Sequence, residues 1–212
     1  MFAIEKLSFK KEIDVDVYLM KYPAFDPNLE MGVLNETEKQ RVKTFGSIKR
    51  QREFIAVRLL KNRIFGKPPI YYNTIGAPYI SKDTFISISH SNNMVGIATS
   101  VSFIGLDLEP IDNKVHRVKD KFLSLQEKQL FNTDSTVELI RIWSAKEALY
   151  KLSGEKGLLF SENLVINSLQ GDVFHAAIRT KNQHNSVLLH SELIEDTVIS
   201  VNITPLRTIV NA

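Results

Sequence analysis

The 212-residue chain has no cysteine and a single tryptophan. Without cysteine there is no disulfide framework, no thiolate zinc or iron–sulfur site and no thiol nucleophile. No stretch approaches the roughly 18 apolar residues of a membrane-spanning helix. The first 22 residues interleave Glu5, Lys6, Lys10, Lys11, Glu12, Asp14 and Asp16 with apolar positions, so no uncharged signal-peptide core is expected. Both glycine-rich phosphate loops, G-x-x-x-x-G-K-[ST] and G-x-G-x-x-G, are missing. So is the G-x-S-x-G elbow that activates a serine, which removes hydrolase chemistry of that kind. The five histidines (His90, His116, His175, His184 and His190) show no H-E-x-x-H or comparable metal spacing. A soluble protein of the reducing cytoplasm is the expectation that remains.

What is present is ordinary for a globular chain: 43% hydrophobic and 24% charged residues, with 9 Gly and 7 Pro. The length suits one large domain or two of about 100 residues. The net charge of +3 hides an asymmetry. Between Lys39 and Lys67 ten basic residues face one acid, Glu53, so this segment carries +9 and the remainder −6. A basic element on an acidic protein suggests an anionic ligand, although a solvated helix face gives the same pattern.

Periodicity predicts one or two strands over 4–20, a loop over 22–32 and a helix capped by Asn35 with Glu36 and Glu38 in its first turn. A second helix over 48–65 should stop at Gly66-Lys67-Pro68-Pro69. A turn at Ile75-Gly76-Ala77-Pro78 leads to a strand over 85–91. The strands at 94–101 and 103–108 are so close in sequence that an antiparallel hairpin is expected. Helices follow over 115–131 and 136–153. The tail from Leu158 to Val210 reads as β, with strands at 163–169, 173–179, 187–194 and 198–203. Helices inserted among antiparallel strands indicate the α+β class. A seam near 100–102 would divide the chain into similar lengths, yet no sequence repeat connects the halves.

Three local patterns could carry chemistry. In Ile104-Gly105-Leu106-Asp107-Leu108-Glu109-Pro110, Asp107 and Glu109 project from one face of a strand. Two carboxylates aimed at one point repel unless a cation lies between them, and a hard divalent ion is the usual answer. A strand end facing water is the plain alternative. Gly105 would allow close backbone approach. In Trp143-Ser144-Ala145-Lys146-Glu147-Ala148-Leu149-Tyr150-Lys151, Glu147 and Lys151 share a helix face. Two ordinary readings compete there: Ser144 and Glu147 as a capping box, or Glu147 and Lys151 as a surface ion pair. In Ser87-Ile88-Ser89-His90-Ser91, His90 could meet a phosphate or simply be a satisfied polar residue.

In this order and spacing, S-x-S-H-S, I-G-x-D-x-E and W-S-x-K-E-A-x-x-K resemble the signature of the 4′-phosphopantetheinyl transferase superfamily. The likeness covers residues 35–160 and extends to Gly154 and Gly157-Leu158; length and the S-x-S-H-S motif resemble its two-module, Sfp-type subclass. The resemblance implies two similar α+β modules, 1–102 and 103–212, with antiparallel sheets related by a pseudo-twofold axis. It implies an enzyme of the holo-acyl-carrier-protein synthase type, moving the 4′-phosphopantetheine arm of coenzyme A to a serine of an apo acyl or peptidyl carrier protein. Adenosine 3′,5′-bisphosphate would be released. Asp107, Glu109 and Glu147 would hold Mg²⁺ (or Mn²⁺), Glu147 would be the general base, and Lys151 and His90 would complete the catalytic set. Ser89, His90, Lys151 and Arg52, with Lys39 and Arg41, would bind coenzyme A. One departure is Ala77, which stands where the family often has a lysine for the 3′-phosphate; Lys82 or a helix residue would have to compensate. A monomer without membrane or nucleic-acid partners is implied. The competing reading is a nucleic-acid-binding module using the 39–67 segment. Against it, Phe45, Phe54 and Phe65 sit at core-like positions instead of alternating with the basic residues.

Overall fold

The computed structural model describes residues 3–181 and 184–208; the last two positions of the expected β tail, 209 and 210, lie outside them. Seven-residue β1 (Ile4–Lys10) and eight-residue β2 (Asp14–Lys21) open the chain. A 3-10 turn (Pro27–Val33) sits inside the expected loop and leads to α1 (Glu36–Lys43). Asn35 caps α1 with a full capping box: its side chain accepts from the Glu38 N–H and Glu38 reaches back to its backbone. Ser47 caps α2 (Ile48–Phe65), which ends at Gly66 with φ 74°. Then come β3 (Tyr71–Tyr72), β4 (Pro78–Ser81), β5 (Thr84–Ser91) and β6 (Met94–Ser100).

The second half begins with β7 (Leu106–Pro110). The region expected as one helix over 115–131 is broken into a 3-10 turn (Asn113–Arg117), α3 (Lys119–Phe122) and α4 (Leu125–Leu130). Ser124 caps α4 with its own box to Glu127, which restarts the helix and so explains the break. Helix α5 (Thr136–Ser153) is followed by β8 (Leu164–Gln170), β9 (Val173–Arg179), β10 (His184–Ile194), β11 (Thr197–Asn202) and the short β12 (Arg207–Thr208). β12 was not anticipated.

Two antiparallel sheets result, ordered β1-β2-β6-β5-β4-β3 and β7-β11-β10-β9-β8, with β12 beside β10. The fold is α+β with two modules, and their winding is the same. β2, α2 and then four strands close with β6 beside β2; β7, α5 and then four strands close with β11 beside β7. This repeat exists in topology and leaves no readable trace in sequence.

The expected hairpin of 94–101 with 103–108 does not form. Both edges of β6 are taken, by β2 and by β5, so β7 has no edge to join there. It crosses over and pairs with β11. Strand alternation then builds four layers. Val15, Val17 and Leu19 of β2 face Leu106, Leu108, Ile199 and Val201 in a core between the sheets. Met20 on the opposite face meets Ala56, Val57 and Leu60 of α2, while α5 covers the far side of the second sheet. Each fully buried aliphatic side chain contributes roughly 1.5–3 kcal/mol, so both sheets draw stability from the shared layer. Gly96 makes the close packing possible: a Cβ there would lie 2.9 Å from the Leu108 side chain and 3.2 Å from those of Leu106 and Leu19.

Candidate active site

β7 is an edge strand, and its outer N–H groups need partners. The S-x-S run supplies them. Leu106 N–H donates to Ser87 Oγ at 2.9 Å and Leu108 N–H to Ser89 Oγ at 3.1 Å. Two hydroxyls of β5 therefore act as a neighbouring strand for β7 and tie the two sheets together. Pro110 has no N–H to offer, and the buried Ser91 Oγ has no hydrogen-bond partner.

The seam places the lysine of α5 against the strand carboxylate. Lys151 Nζ lies 2.8 Å from Asp107 Oδ1, 2.8 Å from the Leu106 carbonyl and 3.1 Å from Ser89 Oγ. Those contacts use all three ammonium protons. Ser89 is equally saturated: its hydroxyl donates to Asp107 Oδ1 at 3.2 Å and accepts from Leu108 and Lys151. It has nothing left for a phosphate unless one of these bonds opens. Lys151 thus turns to Asp107 rather than forming the surface pair with Glu147. The capping-box reading of Ser144 also fails, since the α5 cap is Ser135 and Ser144 lies fully buried in mid-helix. Gly105 does permit the close approach expected of it. A Cβ at that position would stand 2.0 Å from the Ala148 carbonyl oxygen, so α5 rests directly on the start of β7.

Asp107 and Glu109 leave β7 on the α5 side, as the alternation requires. Burial, and then the Asp107 charge, push the Glu109 carboxyl up to about 7, against the Trp143 indole N–H that donates to it at 3.1 Å. The Glu147 carboxyl is also raised, by burial first and by Asp107 second. The other Asp107 oxygen, Oδ2, is buried without a hydrogen-bond partner. An orphaned buried carboxylate oxygen and two acids resisting ionisation form a hard-oxygen donor set suited to a divalent cation. The side chains as placed do not close on an ion, and among the described residues no group of three His, Cys, Asp or Glu forms a metal cluster.

Beside Lys151 opens a cleft of about 460 Å³ between α2, the β3–β4 turn and the end of α5. Its wall includes Phe45, Phe54, Val57, Ile86 and Ile88 and its charges are Arg41, Arg50, Arg58, His90, Lys151 and Lys156, with Glu53 and Glu155. Of the residues expected to bind an anion, Arg41, His90 and Lys151 line the cleft. Lys39 and Arg52 do not: Lys39 pairs with Glu36 at 2.7 Å and Arg52 Nε donates to the Phe25 carbonyl at 2.5 Å. The carboxylates Asp107, Glu109 and Glu147 lie behind Lys151 and outside the lining. Arg50 and Lys156 went unnoticed in the sequence, as did Tyr72 and Tyr150. The basic count of 39–67 already contained Arg50, but charge alone does not say which cations share a cavity. Arg41 lies 5.8 Å from the Phe54 ring centre and Arg50 5.3 Å from that of Phe45, which keeps both guanidinium groups over the apolar wall. Ala77 lines the cleft in the turn that Asn73 organises by accepting from Ile75 and Ala77 N–H.

The motif's remaining lysine has a structural task. Lys146 is fully buried and donates to Glu127 at 2.7 Å and to the carbonyls of Phe122 and Phe160 at 2.6 and 2.9 Å. Glu127 accepts in addition from Ser124 and Ile166 N–H. This closed network ties α4, α5 and β8 together, and Glu127 was invisible to motif reading.

An α+β chain with two modules wound alike, and a lysine–carboxylate group beside a cationic cleft at their seam, is the class that the geometry defines. Residues 103–201 match the model of the 4′-phosphopantetheinyl transferase superfamily. The match supports a transferase of the phosphopantetheinyl kind, a family whose substrate is coenzyme A and whose partner is a carrier protein. None of the curated proteins matches the chain. Among the described residues no helix is long and apolar enough to cross a membrane.

Proposed function

We propose that the protein transfers the 4′-phosphopantetheine arm of coenzyme A to a serine of an apo acyl or peptidyl carrier protein, as a two-module, Sfp-type enzyme of the cytoplasm. The observation that carries this reading is Lys151, which touches Asp107 on one side and lines the cationic cleft on the other. The modules are 1–102 and 103–212, and one chain supplies both walls of the cleft, so the enzyme works as a monomer.

Coenzyme A is a polyanion with an apolar-faced adenine, and the cleft offers cations over an aromatic wall. Arg41, Arg50 and Lys156 take the terminal phosphate end, in place of the side chain that Ala77 lacks. His90, which lies 3.6 Å from Glu53 through Nδ1, and Lys151 take the pyrophosphate. Asp107, Glu109 and Glu147 would hold Mg²⁺ or Mn²⁺, which neutralises charge on the pyrophosphate. The carrier serine oxygen forms a bond to the pantetheine-side phosphorus as the bond to adenosine 3′,5′-bisphosphate breaks. Glu147, with its raised carboxyl, takes the serine proton. Lys151 steadies the charge growing on the leaving phosphate. Ser89 belongs to the coenzyme side by way of Lys151, which it holds. Lys39 and Arg52 contribute to the positive field at the mouth.

Intact mass of an apo carrier protein after incubation with the protein, coenzyme A and Mg²⁺ tests the reading. A gain of one phosphopantetheine, abolished by EDTA, is expected. Coenzyme A binding with no gain on any of several carriers would remove the reaction. The nucleic-acid reading predicts salt-dependent binding to DNA or RNA instead.

A further inference from the structure

Ser87 lines the cleft together with Lys151, and its hydroxyl holds the backbone from which that lysine and Asp107 are aligned. Its partner, Leu106 N–H, belongs to the residue whose carbonyl accepts from Lys151. The next residue is Asp107, and the following amide, Leu108 N–H, is held by Ser89. The two serines thus pin the residues on either side of Asp107. All of these groups are buried: Ser87, Leu106, Asp107 and Leu108 are each less than 5% exposed. Among the described residues the outward N–H groups of Leu106 and Leu108 have these two hydroxyls as their partners, while Lys151 holds the Leu106 carbonyl.

We infer that Ser87 is a positioning residue: by serving as a surrogate strand for Leu106 it sets the place of Asp107 and Lys151 relative to the cleft. The inference rests on the transferase reading for its kinetic consequence but not for its structural one. The sequence motif presents Ser87, Ser89 and Ser91 as equivalents. The structure separates them, since the buried Ser91 Oγ has no hydrogen-bond partner.

Kinetics of Ser87→Ala and Ser91→Ala against the wild type form the first test. Ser87→Ala should lower kcat about tenfold, the scale of effect from a sub-ångström misplacement of reacting groups. KM for coenzyme A should stay within about twofold, because Ser87, although it lines the cleft, has its hydroxyl engaged by the Leu106 N–H. Ser91→Ala should keep wild-type values. Wild-type kcat in Ser87→Ala, an equal loss in Ser91→Ala, or a loss matching the unfolded fraction measured by denaturation would overturn the assignment. Ser87→Thr, which keeps the hydroxyl, should retain most of the activity if the alanine variant folds poorly; loss equal to that of alanine would also count against it.

Amide hydrogen exchange supplies the readout that needs no transfer reaction. In the wild type, Leu106 and Leu108 amides should be protected like interior strand amides despite lying on an edge. In Ser87→Ala, protection should drop at Leu106 and persist at Leu108. Rapid exchange of both in the wild type would remove the surrogate strand itself. If the wild type transferred nothing while this protection pattern held, the transferase reading would fail and the seam would stand.

Discussion

Glu147 sits one turn before Lys151, and burial raises its carboxyl above the usual range, which suits the base role proposed for it. Glu147→Gln keeps the shape and removes the proton acceptor, so carrier modification should fall by at least ~100-fold with an unchanged denaturation midpoint. Near-normal turnover would take the base role away from it. Gly105 illustrates a different constraint. A methyl group there would collide with the Ala148 carbonyl at 2.0 Å, so either β7 or α5 must shift. Gly105→Ala should destabilise by about 2–3 kcal/mol, readable as a drop in the urea midpoint, and a neutral result would show that the helix yields easily. The Tyr22 hydroxyl, buried and next facing Glu53, is pushed up to about 12. An unfolded tyrosine ionises near pH 10. Between those values the folded state keeps a proton that the unfolded state has lost, so stability falls as pH rises through about 10 to 12. Tyr22→Phe should flatten that decline by up to ~1.4 kcal/mol per pH unit, measured by denaturant unfolding at pH 9.5 to 11.5.

Helices α2 and α5 have the bounds that the sequence suggested, α2 stopping at Gly66 as the Gly-Lys-Pro-Pro run indicated, because such signals are local. The pieces between β7 and α5 were not legible as separate helices, since the restart depends on Ser124, Glu127 and a lysine nineteen positions on. Burial pushes Lys146 down from the usual lysine range while Glu127 pulls it back. Breaking one partner leaves the other charged in a dry site. Lys146→Met alone should therefore cost about 3–5 kcal/mol, and the pair Lys146→Met with Glu127→Leu considerably less. A double variant as unstable as the single one would show that the carbonyl and amide bonds, rather than the ion pair, dominate.

Over the whole chain, the ten basic residues of 39–67 no longer act as one surface. Arg58 is buried against Glu38 at 2.9 Å, Lys61 donates to the Pro68 carbonyl and Arg52 to that of Phe25. Arg41 and Arg50 line the cleft, and Lys43, Lys49, Arg63 and Lys67 stay exposed. The segment's cations are thus divided between internal contacts, the cleft and the outer surface. The two modules, for their part, share the core between the sheets, with ion pairs such as Lys21–Glu195 and Arg207–Glu12 across it. Residues 103–212 expressed alone should show no cooperative unfolding, and adding 1–102 should restore it. A cooperative transition at the full-length midpoint would mean that the modules fold independently.

Side-chain periodicity, caps and turn residues are properties of neighbouring positions, so the sequence alone determined the main strands and helices, the α+β class and the Asp107–Glu147–Lys151 motif. It could not settle which edges pair. β6 and β7 are adjacent in sequence, yet each strand has only two edges, and β2 and β5 had filled those of β6. The same holds for the site. Ser89, Asp107 and Lys151 meet across separations of 18 and 44 residues, and only the packing of α5 on Gly105 makes their hydroxyl, carboxylate and ammonium partners. Tertiary structure therefore decided that the serines join the sheets, and that Lys151 is held by Asp107 at the edge of the cleft.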